Sequence, residues 1–176
     1  MKSVKIIYSA AVVMFSVFYA SADNLTADNG GVKKSLFAAG CFWGVEYRFE
    51  QIEGVLDAVS GYSGGTKADP SYSEVSSGKT GHAETVEVVY DSRIISYEEL
   101  VRFFFTIHDF TFRESFNPGF ISPYRSAIFY RTENERKTAE KIIREFEEKG
   151  FNVKTELSPA ESFWKAEDYH QNYYRK

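Results

Sequence analysis

Cysteine is nearly absent: Cys41 is the only one in 176 residues. A single thiol cannot close an internal disulfide, so this sulfur is not a staple. Three scattered histidines beside one cysteine give no zinc-ligand spacing. There is no glycine-rich phosphate loop and no dinucleotide fingerprint, and the Gly64-Gly65 pair lacks the lysine and helix that would follow one. Neither a metal nor an organic cofactor is expected. Positive charge is also short. The formal net charge is -4, which argues against nucleic-acid binding through phosphate contacts. Fixed-period repeats and low-complexity tracts are missing. The chain is long enough for one domain with a real core and too short to expect two.

The longest uncharged apolar run, residues 6–18, falls short of the roughly 20 residues that span a bilayer. Lys2 and Lys5 precede it, and Ala20-Ser21-Ala22 follows it with the small-x-small pattern of a signal-peptidase site. Residues 1–22 are therefore expected to be a cleavable signal peptide, with the protein exported to the periplasm and not inserted in a membrane. Residues 23–34 are polar and contain Gly30-Gly31, which reads as a flexible tether. The domain is expected over 35–176. An unpaired thiol in an oxidising compartment is either deeply buried or kept for its reactivity.

Cys41 lies in Gly40-Cys41-Phe42-Trp43-Gly44. The apolar residues 36–39 read as a short buried strand. Gly40 permits a sharp turn, and Val45, Phe49 and Ile52 recur at helical spacing. The thiol thus sits where a strand hands over to a helix, whose free N–H groups and partial positive charge favour thiolate. Further strands are expected at 54–60, 85–90, 126–131 and 152–157. Ser96, with Glu99 three residues on, caps a largely buried helix. Thr132 caps a long one over 133–149 that Gly150 stops. Residues 61–72 and 109–123 read as long loops, and the ring-rich tail from Phe163 as a segment that folds back. The pattern predicts an α+β fold: a two-layer βαββαβ ferredoxin-like sandwich.

A thiolate nucleophile needs an acid for the leaving oxygen. Glu84, just ahead of an alternating strand, is the candidate: either a solvated strand-end carboxylate, or a carboxyl under apolar walls that keeps its proton. Tyr72 and Tyr124 either pack loops onto the core or donate hydrogen bonds to a ligand oxygen. Phe42 and Trp43 are either core or the walls of an aromatic cage. His82 and His108 read as partners of backbone groups. His170 lies in the tail beside Glu167 and Asp168.

Taken in order, Gly40-Cys41-Phe42-Trp43-Gly44-Val45-Glu46, Gly61-Tyr62-Ser63-Gly64-Gly65, Tyr72, Gly81-His82-Ala83-Glu84, Val88-Val89-Tyr90-Asp91, Tyr124-Arg125-Ser126 and Ala166-Glu167-Asp168-Tyr169-His170-Gln171 resemble the A-type peptide methionine sulfoxide reductases. The resemblance covers nearly the whole domain. It implies that Cys41 attacks the sulfur of methionine S-sulfoxide, that Glu84 protonates the oxygen, that Tyr72 and Tyr124 hydrogen-bond it, and that Phe42 and Trp43 hold the methyl group. The product would be methionine and a sulfenic acid on Cys41. Substrates would be free methionine sulfoxide and oxidised proteins or peptides. Two departures stand out. Cysteines that many relatives carry near the C-terminus have no counterpart, so an external thiol must regenerate Cys41: a thioredoxin- or glutaredoxin-like protein or a small thiol. The family's aspartate falls on Gly119. A monomer is expected. The rival readings are a single-cysteine thiol peroxidase and a non-catalytic module that binds methionine sulfoxide peptides.

Overall fold

The structure, a computed structural model, describes residues 30–112 and 119–176. The expected signal peptide, residues 23–29 of the expected tether and Asn117-Pro118 lie outside the described residues. In chain order the elements are β1 (Val32–Ala39), α1 (Phe42–Phe49), β2 (Val55–Ser63), α2 (Tyr72–Ser76), β3 (Ala83–Asp91), α3 (Tyr97–Phe104), β4 (Ser126–Tyr130), α4 (Glu133–Glu148), β5 (Glu156–Pro159), β6 (Phe163–Lys165) and a closing 3-10 turn, Tyr173–Arg175. The strands form one mixed sheet in the order β5-β4-β1-β3-β2-β6. Every pairing is antiparallel except β4 with β5.

β1 lies inside the sheet, between β3 and β4. Its residues alternate between two buried faces, as strand geometry requires. Phe37 and Ala39 join a main core with Phe42, Val45 and Phe49 of α1, Leu100, Val101 and Phe104 of α3, and Ala139 and Ile142 of α4. Leu36 and Ala38 join a smaller cluster with Ala83, Ala127 and Phe129. The same alternation in β3 puts Glu84 on the face of Val86 and Val88, which is the face α1 covers. The expected caps form. Ser96 and Glu99 make a reciprocal capping box on α3, and the Thr132 side chain accepts from Glu135 N–H on α4.

Five expectations need correcting. The strand expected over 152–157 begins only at Glu156, where pairing with β4 starts, and runs to Pro159. The tether ends earlier than residue 34, because Val32, Lys33 and Lys34 pair with Asp91, Tyr90 and Val89. The first helix starts at Phe42, not Val45, and stops before Ile52. The Cys41 carbonyl accepts from Gly44 and Val45 N–H and so opens the helix three residues sooner. Gly61-Tyr62-Ser63 is strand, not loop, because β6 supplies a pairing partner from the far end of the chain. Tyr72 opens a short helix, α2, whose start is fixed by a Ser71–Glu74 capping box that is legible in the sequence.

The tail does fold back. Its anchor is Glu46, only 1% exposed, which accepts from the Ser60 hydroxyl and from Asn172 N–H (2.6 Å). Gln171 adds bonds to both backbone groups of Ser60. Glu46→Ala would leave the buried Ser60 hydroxyl and the part-buried Asn172 N–H without their acceptor, at about 3 kcal/mol in all. The expected fall in melting temperature is roughly 6–12 °C, with a loss less than half as large for Glu46→Gln, which keeps one accepting oxygen. Thermal unfolding of the two variants checks this; equal losses would contradict it.

Candidate active site

Gly40 takes φ +87°, and a Cβ there would meet nothing within 4 Å. The glycine is needed for backbone conformation, not for space. The turn it makes carries the chain from β1 into α1 with Cys41 as the residue capping the helix. Cys41 is exposed, and the N–H groups of Trp43 and Gly44 lie beside its sulfur without a capping hydrogen bond to it. Those N–H groups favour thiolate, as expected. They are outweighed. Protein packed beside the exposed residue removes part of the hydration of its sulfur, and an ionised Glu84 adds a like charge, and the two together push the thiol pKa up. The thiolate-favouring helix start expected from the sequence is thus opposed by desolvation and by Glu84.

Glu84 is 2% exposed. Its Oε2 accepts from Phe42 N–H at 2.9 Å, which places the carboxyl under the first peptide of the helix that Cys41 caps. Its own N–H donates to the Pro123 carbonyl at 2.7 Å, so the loop that carries Tyr124 is tied to the same strand end. Burial raises its pKa to about 7, against the opposing bond from Phe42. Of the two sequence alternatives for Glu84, the structure places the buried carboxyl. The phenol of Tyr124 faces that of Tyr72, and Glu84 and Cys41 act on it electrostatically; burial first, and then these neighbours, push its pKa up. Cys41, Glu84, Tyr72 and Tyr124 therefore converge. A cavity of about 200 Å³ opens on the Gly40 side, lined by Gly40, His108, Asp109, Phe112 and Tyr124 among others.

Phe42 and Trp43 take different places. Phe42 is 1% exposed and packs on Tyr62 and His170. Trp43 is half-buried; its Nε1 donates to His170 Nδ1 at 2.9 Å, and its ring lies flat on Tyr173, 3.6 Å away. His170 is therefore neutral at Nδ1. Burial lowers its pKa, and its Nε2 has no hydrogen-bond partner among the described residues. Glu167 accepts from Tyr72 N–H (2.9 Å) and from the Tyr62 hydroxyl (2.8 Å). The tail thus fixes one phenol and the indole together. Glu46, Glu167 and His170 were not assigned roles from the sequence. Glu46 had a faint signal, a carboxylate at an apolar position of α1 between Val45 and Phe49. His82 and His108 do meet backbone groups, at Lys67 O and Phe104 O.

Gly119 takes φ +89°. That is the left-handed region, where an aspartate or any other residue with a Cβ would be strained.

A lone thiol set against a protonatable buried carboxyl and two phenols defines a cysteine-dependent oxidoreductase that works on a polar oxygen. The comparisons specify which kind. The profile of the family described as peptide methionine sulfoxide reductase matches residues 33–176. The chain is 44% identical over 148 residues to the peptide methionine sulfoxide reductase MsrA of Methanococcoides burtonii, covering 82% of this chain and 97% of that one. Its fold is similar to reduced Mxr1 of Saccharomyces cerevisiae, with a TM-score of 0.76, 34% identity and coverage of 84% of this chain and 87% of that one. It is also similar to Mxr1 in complex with Trx2, with a TM-score of 0.59, 28% identity and coverage of 86% and 91%. The chain belongs to the peptide methionine sulfoxide reductase family.

A glutamate held at a raised pKa weakens the fold once it ionises. Its neutral form is favoured in the folded state, so the stability it contributes is present below pH 4.5 and is lost as pH rises through about 7. A displacement of that size corresponds to roughly 3 kcal/mol. Glu84→Gln keeps an acceptor for Phe42 N–H and removes the charge. The variant should melt higher than the parent at pH 8 and close to it at pH 4. Its Cys41 should also alkylate with iodoacetamide at a lower pH midpoint. A variant no more stable at pH 8 would contradict this placement of Glu84.

Proposed function

We propose that Cys41, Glu84, Tyr72 and Tyr124 carry out reduction of methionine S-sulfoxide, with Trp43 and the largely buried Phe42 forming the wall toward the substrate methyl group. The observation that carries this reading is the Phe42–Glu84 hydrogen bond, which holds a carboxyl with a pKa near 7 beside the only thiol. Glu84 gives its proton to the sulfoxide oxygen while the Cys41 sulfur adds to the sulfoxide sulfur. The phenols hold the oxygen. The substrate S–O bond and the transient sulfur–sulfur bond both break as the hydroxyl passes to Cys41, which becomes the sulfenic acid, and two electrons pass from the cysteine sulfur to the methionine sulfur. The thiol proton returns to Glu84. Thiol and sulfoxide thus become sulfenic acid and thioether, with protons balanced. A buried carboxyl with a pKa near 7 and two phenols beside the thiol favour this reading over the peroxidase one, which needs no protonated acid.

With one cysteine in the chain, regeneration falls to an outside thiol. The similarity to a yeast protein seen in complex with Trx2 supports a thioredoxin-like reductant. The completeness of the site within one chain supports a monomer. The β4-β1-β3-β2 core with α1 and α3 supports the ferredoxin-like layering. The basic start, apolar run and Ala20-Ser21-Ala22 support export with cleavage after Ala22, which N-terminal sequencing of the secreted protein would check.

The test is turnover of a peptide carrying both methionine sulfoxide epimers, with dithiothreitol as reductant. Only the S epimer should be consumed. Cys41→Ser should form no methionine, Glu84→Gln should lose roughly 100-fold or more, and Tyr72→Phe or Tyr124→Phe about tenfold each. Equal loss of both epimers, or turnover by Cys41→Ser, would refute the assignment.

A further inference from the structure

Two openings flank Cys41. The first, on the Gly40 side, is bordered by Tyr124 and belongs with the groups that meet the sulfoxide oxygen. The second lies along α1. Cys41, Gly44 and Arg48 fall at i, i+3 and i+7, so they share one helix face. A groove of about 570 Å³ runs beside them, lined by Gly44, Tyr47, Arg48 and Tyr174. A Cβ added at Gly44 would meet nothing within 4 Å, so the approach along this face is open up to the capping residue. Two of its lining residues, Tyr47 and Tyr174, begin a row of rings that continues beyond the groove through Tyr173 to Trp43. Tyr174 meets Tyr47 edge-on at 5.9 Å and Tyr173 edge-on at 5.6 Å, and Tyr173 lies on Trp43. Tyr47, Tyr173 and Tyr174 are 43%, 44% and 59% exposed. A contiguous, exposed tyrosine patch with an adjacent arginine has the composition of a protein-binding hot spot.

Chemistry selects the occupant. The reaction leaves oxygen on Cys41, and this chain has no second thiol to remove it. The reducing sulfur must arrive on another molecule and reach the Cys41 sulfur itself. We infer that the Tyr47–Tyr173–Tyr174 patch is the docking surface for a dithiol protein of thioredoxin type, which attacks along the Gly44 face. The first thiolate of that protein displaces the sulfenic hydroxyl, which leaves as water after taking up a proton, and forms a mixed disulfide with Cys41. Its second thiol then attacks its own partner sulfur, releasing Cys41 as thiolate and leaving the reductant as a disulfide. Two electrons pass to Cys41 in all. The inference rests on the sulfoxide reductase reading.

Tyr47→Glu and Tyr174→Glu, singly and together, test it in the full chain. Neither side chain touches the substrate in the mechanism above. Turnover of the same sulfoxide peptide is measured with thioredoxin, thioredoxin reductase and NADPH, and separately with dithiothreitol, which needs no docking surface. The double variant should lose about tenfold or more in kcat/KM for thioredoxin, while dithiothreitol-driven turnover stays within about twofold of the parent. Parent-like turnover with thioredoxin, equal losses with both reductants, or a parent that thioredoxin does not serve would each overturn the inference. Failure of the underlying reading looks different: the parent would then form no methionine even with dithiothreitol. As a second measurement, a thioredoxin lacking its second cysteine should trap a mixed disulfide at Cys41 and slow hydrogen exchange in the peptide containing Tyr47. Unchanged exchange in the trapped complex would also overturn it.

Discussion

One hydrogen bond, from Phe42 N–H to the Glu84 carboxyl, joins the two halves of the chemistry. It ties the helix that Cys41 caps to the strand that carries the acid. Strand alternation alone would bring Glu84 to the helix face, but it would not fix where along the helix the carboxyl sits. The bond does so, at the residue next to the nucleophile. The arrangement is electrostatically unfavourable at rest. Glu84 sits in a dry site, and its charge raises the cost of ionising Cys41. The result is a carboxyl that can hold its proton near neutral pH, which suits a reaction that must deliver one to an oxygen before the sulfur can accept electrons.

The tail supplies rigidity that the small two-helix, three-strand neighbourhood of the site would otherwise lack. Glu46 and Gln171 fasten it to α1 and β2. From there Glu167 reaches the backbone of Tyr72, and His170 takes the indole N–H of Trp43. A phenol and an indole held by buried side chains lose little freedom when substrate binds, so the site is largely formed in advance. The same tail presents its outermost tyrosines to solvent. One segment thus braces the site from within and furnishes its exposed rim.

Local features were legible in the sequence. A glycine after an apolar run, followed by helical spacing, located the thiol at a strand-to-helix turn. Ser96 and Thr132 marked helix starts because capping is a three-residue matter. The Ser71–Glu74 box carried the same signal and was obscured by the glycines and proline around it. What escaped was set by distant partners. Residues 61–63 became strand because Phe163, Trp164 and Lys165 pair with them. His170 meets Trp43 across 127 positions. The thiol pKa escaped for a related reason. The helix start is local and points one way, whereas burial and Glu84 arrive only with the fold and point the other.

The account stands on the protonation of Glu84 in the resting protein. Carbon-13 NMR titration of the labelled glutamate carboxyls, with Glu84→Gln to assign the signal, measures it directly. A Glu84 resonance that titrates near pH 7 is the expected result. One that titrates in the ordinary range of a solvated glutamate, near pH 4.3, would contradict the central claim.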